Sequence, residues 1–262
     1  LWQAVHGRNG EAPIPVIAAS TPIDCFDMAF EAVQIALEHM TPVILLTDGY
    51  IANGSEPWRF PAAKDLPEIK PNFIPSVTSG SAETKPFLPY QRDERGVRPW
   101  ALPGQAGLQH RIGGIEKQDK TGNISYDPAN HELMVRLRAE KVAKIADRYK
   151  PIRLDSGPEQ GELLIVGWGS TYGAIRTAAL QLQGEGQSVA HVHIRHLFPF
   201  NKGLGPLLKK YKKVLVPEMN SGQMRQLLRA EFLVDAQGLN KIQGMPFTSE
   251  EIRAAALNLL KQ

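Results

Sequence analysis

Thr41 to Trp58 reads TPVILLTDGYIANGSEPW, and this stretch decides the fold. The apolar run Val43 to Leu46 is too short for a helix and has the length of a buried strand. It ends in Thr47-Asp48-Gly49, a turn sequence, and a long segment rich in turn-forming residues follows. Upstream there is room for one helix, Asp24 to His39, and one strand, Ile14 to Ala18. Strand, helix and strand make a βαβ unit, whose parallel strands are expected to be buried on both faces. Such strands need neighbours on both sides, so the chain is expected to begin inside a domain whose earlier strands lie upstream of Leu1.

The helix pattern is well marked. Pro22 suits a first turn, and Asp24 and Asp27 lie near the positive end of its dipole. Phe26, Ala29, Phe30, Val33, Ala36 and Leu37 recur at spacings of three and four, which makes one buried stripe. Asp48-Gly49 falls just past the C-terminal end of its strand, the edge at which open parallel sheets bind ligands. Asp48 and Gly49 are therefore the candidate cofactor-binding residues, beside the simpler reading that they only make the turn.

Composition bounds the class. The 262 residues are 42% apolar with a formal net charge of +3. That supports one large core or two modest ones. Charges of both signs are mixed along the chain, which argues against a nucleic-acid surface. The densest basic run, Lys209 to Lys213, fits the end of a helix before the strand Val214 to Pro217, where cations suit the dipole. The single cysteine, Cys25, precludes an internal disulfide or a CxxC metal motif in this chain; it is read as a small core-facing residue. No signal peptide and no membrane-length apolar run is visible, and a cytoplasmic location is expected.

Three parts follow from the pattern. Residues 1–55 form the end of an α/β domain. Residues 56–150 form an excursion with its linking helix, and 151–262 form a complete small α/β domain. The excursion holds nine prolines between Pro57 and Pro103. It also holds Trp58, Phe60, Phe73, Ile74, Phe87, Leu88, Tyr90, Trp100, Leu102, Leu108 and Ile112, more apolar bulk than a disordered linker carries. It is expected to be ordered, wrapping a domain or a partner, and to close at Asp127-Pro128 before a helix from Asn130 to Tyr149.

In the last part, strands are expected at Leu163 to Val166, Val189 to Ile194 and Val214 to Pro217, with a short one starting at Ile242. Helices are expected at Gly173 to Gln183 and Pro206 to Tyr211, from Asn220-Ser221-Gly222 through Phe232, and after a Ser249 cap. This alternation implies a parallel sheet with right-handed crossovers. Gly167-Trp168-Gly169-Ser170 and Asn220-Ser221-Gly222 each sit between strand and helix, where amides could cradle a phosphate. Neither carries a dinucleotide fingerprint or a P-loop lysine, and tight turns with close packing explain the glycines equally. His191 and His193 alternate onto one strand face near His196, but no carboxylate lies at ligand spacing, so no metal site is expected.

The stretch at Thr41 to Trp58, the run RPWALPGQAGLQHRIGGIEKQDKTGNISYDPANHELMVRLRAEKV from Arg98 to Val142, and VPEMNSGQM from Val216 to Met224 closely resemble the alpha subunit of 2-oxoacid:ferredoxin oxidoreductases, in the 2-oxoglutarate branch. The resemblance covers nearly the whole chain, and its middle run is the most specific part. It implies that residues 1–55 end a pyrimidine-side thiamine-diphosphate domain and that 151–262 form a domain similar to the transketolase C-terminal domain. The implied reaction is oxidative decarboxylation of a 2-oxoacid with coenzyme A, giving acyl-CoA, carbon dioxide and reduced ferredoxin. The implied cofactors are thiamine diphosphate, magnesium and an iron–sulfur cluster. The partners are a beta subunit, which carries the magnesium motif in that family, and ferredoxin. The cluster is expected on a partner subunit, and this chain alone is expected to be inactive.

In that family the excursion faces the cofactor cleft, so His110, Arg111 and Asp119 are the candidate catalytic residues, with Lys117 as a further cation. The family's usual Glu-His-Asp stands here as Lys117-Gln118-Asp119, with only Asp119 retained. Two other classes stay open: a thiamine-dependent dehydrogenase or transketolase-type subunit, or a non-catalytic assembly module. Cluster-bearing partners separate the first from the ferredoxin-linked reading, and cofactor titration separates the second.

Overall fold

A computed structural model describes residues 1–74 and 86–262. A short helix α1 (Trp2–His6) precedes β1 (Val16–Ala18), α2 (Asp24–His39), β2 (Ile44–Leu46) and α3 (Gly49–Asn53). After the excursion come α4 (Pro128–Lys144), β3 (Gly161–Trp168), α5 (Tyr172–Gly184), β4 (Val189–Ile194), β5 (His196–Phe198), α6 (Leu204–Leu208), β6 (Tyr211–Glu218), α7 (Gln223–Phe232), β7 (Ala236–Asn240) and α8 (Ser249–Leu260). Among the described residues, no helix is long and apolar enough to cross a membrane.

The strands form two sheets. The larger has the order β4-β3-β6-β7 and is parallel throughout. Its centre is Leu163, Leu164, Ile165 and Val166, all fully buried. Each such side chain is worth about 1.5–3 kcal/mol. One face packs on α5 and α8 through Ile175, Leu182, Ile252 and Ala256. The smaller sheet has the order β2-β1-β5. β1 and β2 are parallel, as the βαβ reading requires, whereas β5 joins antiparallel to β1.

β5 was not visible in the sequence pattern and changes the picture of the first sheet. The chain leaves the large sheet at Ile194 and enters the small one at His196, with only Arg195 between. Arg195 turns its guanidinium onto Asp24, at 2.9 and 3.1 Å, and onto the Ser20 hydroxyl at 3.0 Å. Its carbonyl accepts the Ala18 amide. His196 adds a 2.9 Å contact to Glu31 and stacks on Tyr149. Val16 and Ala18 share one apolar core with Leu164, Val166 and Val192 of the large sheet.

Several expectations need correction. β2 is half-buried along its length rather than buried on both faces, because among the described residues it pairs only with β1. The short strand expected at Ile242 is instead Ala236–Asn240, which pairs in parallel with β6 from Val214–Ala236 to Glu218–Asn240; Ile242 is exposed. The helix expected over 206–211 is Leu204–Leu208, and Tyr211 begins β6 with its hydroxyl donating to the Pro158 carbonyl. Lys212 and Lys213 therefore lie in a strand, Lys212 pairing with Glu162. The final helix is capped by Thr248, not Ser249, in a reciprocal box with Glu251.

The described part of the excursion is anchored; its residues 75–85 lie outside the described set. Trp100 donates its indole N–H to the Leu37 carbonyl at 2.8 Å and exchanges backbone bonds with Asn72 and Ile74. Arg98 lies 4.1 Å over the Tyr90 ring, and Val97 is fully buried. The helix that follows starts two residues before the expected Asn130, with Asp127 as its cap and Pro128 in its first turn.

Replacing Arg195 with Ala leaves Asp24 half-buried and short of its cation. The expected loss is about 1–3 kcal/mol in a urea melt with an unchanged slope. An unaltered midpoint would mean that the junction between the sheets does not rest on this contact.

Candidate functional site

The C-terminal ends of β1, β2, β3 and β6 converge. Ala18-Ala19, Leu46 to Asp48, Trp168 to Thr171 and Glu218 to Asn220 surround a cavity of about 250 Å³. Asp48, Ser170, Thr171 and Met219 also line a wider cleft of about 1230 Å³, bounded further by Tyr50, Tyr172 and Phe247. Carboxyl ends of parallel strands are the ligand edge of such sheets.

Asp48 is the cap of α3, accepting the Ile51 amide at 3.0 Å with one oxygen. Its other oxygen accepts the Ser170 amide at 3.3 Å, from the loop between β3 and α5. The helix itself was missed in the sequence, since GYIAN has little helix propensity. The cap residue and turn were visible as Asp48-Gly49.

Glu218 does the equivalent work at β6. It is 1% exposed and accepts the amides of Met224 and Arg225 at 2.8 and 3.0 Å. The Trp168 indole and Asn220 amide donate to it as well, at 3.2 and 3.1 Å. A buried carboxylate is tolerated only with this many donors. Sequence reading passed over Glu218, although its place between a buried strand and a helix start was a usable signal.

Both loops that resembled phosphate cradles thus spend amides on internal carboxylates, Asp48 in one and Glu218 in the other. The glycines serve geometry. A methyl at Gly167 would lie 2.7 Å from both His193 and Ile175, and Gly169 sits at φ +60°. His193 fixes this loop through a 3.1 Å contact to the Gly169 carbonyl.

His191 and His193 are buried beside Tyr172, their rings 5.8 Å apart. Among the described residues, no group of His, Cys, Asp and Glu could hold a metal ion. Burial, then the cations Arg176 and Arg195, pulls His191 down to about 3. His193 is lowered in the same direction by burial, by His191 and by Arg195. In the same way burial, with Arg148 and Arg95, takes His39 down to about 4.

The excursion candidates stand elsewhere. None of His110, Arg111, Lys117 and Asp119 lines either cavity at the strand ends. His110 is exposed, bonded at Nδ1 to the Leu108 carbonyl and packed edge-on to Phe87. Arg111 is exposed. Lys117 is buried, its ammonium held by the carbonyls of Gly113 and Gly114. Asp119 accepts from Arg92 at 2.6 Å, and its amide donates to Asn130 at 3.0 Å.

Residues 3–126 match the thiamine diphosphate-binding domain of pyruvate flavodoxin/ferredoxin oxidoreductases, and 161–254 match core domain II of pyruvate:ferredoxin oxidoreductase. The 2-oxoglutarate oxidoreductase subunit KorA of Mycobacterium tuberculosis is 48% identical over 96% of this chain and 37% of its own length. Subunit alpha of 2-oxoacid:ferredoxin oxidoreductase 2 from Aeropyrum pernix is 30% identical over 100% of this chain and 40% of its own. Among solved structures, the 2-oxoglutarate:ferredoxin oxidoreductase of Magnetococcus marinus, with 2-oxoglutarate, coenzyme A and succinyl-CoA bound, superposes with a TM-score of 0.88. It is 29% identical, over 99% of this chain and 44% of that one. The chain therefore spans well under half of the length of these relatives.

A domain of the thiamine-diphosphate type followed by core domain II defines an oxidoreductase subunit. The chain belongs to the 2-oxoacid:ferredoxin oxidoreductase family, on its alpha-subunit side, as the three quoted stretches implied.

The donor set can be tested against the family's cofactors. Of the amides at the two glycine turns, that of Ser170 is given to Asp48 and those of Met224 and Arg225 to Glu218, and among the described residues no group of three or more His, Cys, Asp and Glu could hold a metal ion. A lone half-buried Cys25, its thiol pushed up by burial and by Asp24 and Asp48, cannot ligate a cluster. The described residues therefore hold no complete site for magnesium or a cluster, and the two carboxylates at the strand ends do not suit a diphosphate.

The buried histidines give a pH prediction. Unfolded histidine titrates near 6.5, so between that value and about 3–4 the unfolded chain binds more protons. Their contribution to stability is full above pH 6.5 and is lost as pH falls toward the folded values. The melting temperature should drop through that window. His191→Phe should flatten the drop, since neither ring nitrogen of His191 has a hydrogen-bond partner to lose. An unchanged slope would show that His191 is not kept neutral.

Proposed function

We propose that the chain is part of the alpha subunit of an enzyme that oxidatively decarboxylates a 2-oxoacid, 2-oxoglutarate foremost, with coenzyme A. The products are acyl-CoA, carbon dioxide and reduced ferredoxin. The reading is carried by the superposition over 99% of the chain on a 2-oxoglutarate:ferredoxin oxidoreductase. A beta subunit supplies the magnesium and diphosphate site, and a partner subunit supplies the iron–sulfur cluster that passes electrons to ferredoxin. When bound, thiamine diphosphate supplies the carbanion-stabilising chemistry that releases carbon dioxide.

This chain's own residues then take two roles. Asp48 and Gly49 face the cofactor side of the strand-end cleft, Asp48 holding its two walls together. The small cavity, with Asp48 and Glu218 on its lining, is a poor place for a 2-oxoacid dianion. Cations of the excursion suit it better: His110 and Arg111 are exposed and project from an anchored segment. In a closed complex they would stabilise charge as carbon dioxide leaves, with water excluded. Asp119 acts through Arg92, holding the segment in place.

The test is a reconstituted alpha–beta enzyme assayed for ferredoxin reduction dependent on 2-oxoglutarate and coenzyme A. His110→Ala and Arg111→Ala should lower turnover at an unchanged melting temperature, because both side chains are exposed. Asp119→Ala should also destabilise the fold by about 1–3 kcal/mol, since it strands Arg92. The chain by itself should bind no thiamine diphosphate in calorimetry. Normal turnover in all three variants removes the excursion from the mechanism, and stoichiometric binding by the isolated chain overturns the assignment of the diphosphate to a partner.

A further inference from the structure

The turn that ends β1 is fixed from the other sheet. Ser20, 4% exposed, gives both its amide and its hydroxyl to one oxygen of Asp24, at 2.8 and 2.5 Å. Arg195, which follows β4, closes the triangle: its Nε holds the Asp24 carboxylate and its Nη2 donates to the Ser20 hydroxyl. Two nitrogens of one planar group reach two residues, which a point-like lysine ammonium reproduces poorly. The Ser20 hydroxyl donates to one partner, accepts from the other, and is thereby spent inside the chain.

Thr21 is placed differently. With Ser20, Pro22 and Asp48 it lines the wide strand-end cleft. Its hydroxyl accepts the Asp24 amide at 3.3 Å and donates to no group among the described residues. The residue that fixes Ser20 thus also orients Thr21, through the first amide of α2. The cleft lining includes Asp48 and Glu56 and, among the described residues, no lysine, arginine or histidine. An anion is disfavoured against two carboxylates, so the partner that suits the free hydroxyl proton is an uncharged acceptor.

We propose that Arg195 is a positioning residue for this cleft. Acting through Asp24, it presents the Thr21 hydroxyl as a hydrogen-bond donor to an uncharged acceptor, a carbonyl or ring nitrogen, of a bound molecule. Two molecules of the proposed reaction carry such groups, coenzyme A in its amides and thiamine diphosphate in its pyrimidine ring, so the inference rests on that functional reading. A donor displaced by about 1 Å loses most of its effect, and the junction between the sheets is what prevents the displacement.

The experiment uses the enzyme reconstituted from the full alpha chain and its beta subunit, at saturating 2-oxoglutarate. The variants are Arg195→Lys, Thr21→Val, Thr21→Ser and the double variant Arg195→Lys with Thr21→Val. The readouts are the Michaelis constant for coenzyme A, the activation constant for thiamine diphosphate, and amide exchange at Ser20 to Asp24. Arg195→Lys and Thr21→Val should each raise the same one of the two constants about fivefold or more, as the loss of one hydrogen bond does. The constant that moves names the ligand. The double variant should be no worse than Thr21→Val, because one residue acts through the other, and Thr21→Ser should stay near wild type. Partial unfolding lowers apparent turnover but leaves these constants alone, so a merely structural Arg195 would not move them. Both constants within about twofold of wild type, or effects that multiply in the double variant, overturn the proposal. A wild-type enzyme without 2-oxoacid-dependent reduction overturns the functional reading instead. Exchange in the turn must then still quicken about tenfold in Arg195→Lys, and unchanged exchange overturns the positioning role.

Discussion

The structure depends on internal carboxylates meeting backbone amides at the ends of parallel strands. Every strand that runs into a helix leaves unsatisfied N–H groups at the point where a ligand edge forms. Here Asp48 takes the amides of Ile51 and Ser170, and Glu218 takes those of Met224 and Arg225. The first of these also joins the two sheets, because Ile51 follows β2 and Ser170 follows β3. Removing the Asp48 carboxylate would leave two donors unpaired and separate the two walls of the cleft.

That arrangement explains a division of labour. A strand edge whose amides are already neutralised is a poor anion site but a good wall, with fixed shape and acceptor character. The exposed cations His110 and Arg111, proposed above to meet the oxoacid, lie on the excursion, which is built differently. It takes its order from single anchors such as Trp100 on Leu37 and Arg98 on Tyr90, not from a repeating ladder. The two stay apart within this chain, since none of His110, Arg111, Lys117 and Asp119 lines either strand-end cavity.

Much of the fold could be read from periodicity. The helix Asp24–His39 and the strand Val189–Ile194 were placed to the residue, but the helix's buried stripe was not: Met28, Ile35 and His39 are its buried residues, and Ala29 and Val33 of the expected stripe are exposed. β5 was invisible: three residues of mixed character after a strand look like a loop, and only the partner β1 makes them a strand. β7, with the sequence AQGLN, has the same origin, since a ladder to β6 overrides weak propensity. Asp48 was legible as a turn at a strand end. Glu218 was not, because a lone acidic residue beside a proline gives no pattern until the helix amides close around it.

The histidine pair shows the same limit from the opposite side. His191, His193 and His196 look alike in sequence, yet they fall into two environments. His191 and His193 point into the large sheet's packing, where burial keeps them neutral, and His193 spends its nitrogen on the Gly169 carbonyl. His196, two residues past Ile194, has already crossed to the small sheet and meets Glu31 and Tyr149. The crossing at Arg195 is what divides them, and nothing local in RHLF announces it. A cation between two strands becomes informative only once Asp24, 171 positions away in the chain, is seen to receive it. This second contact between the sheets is thus one that sequence patterns of short range could not contain.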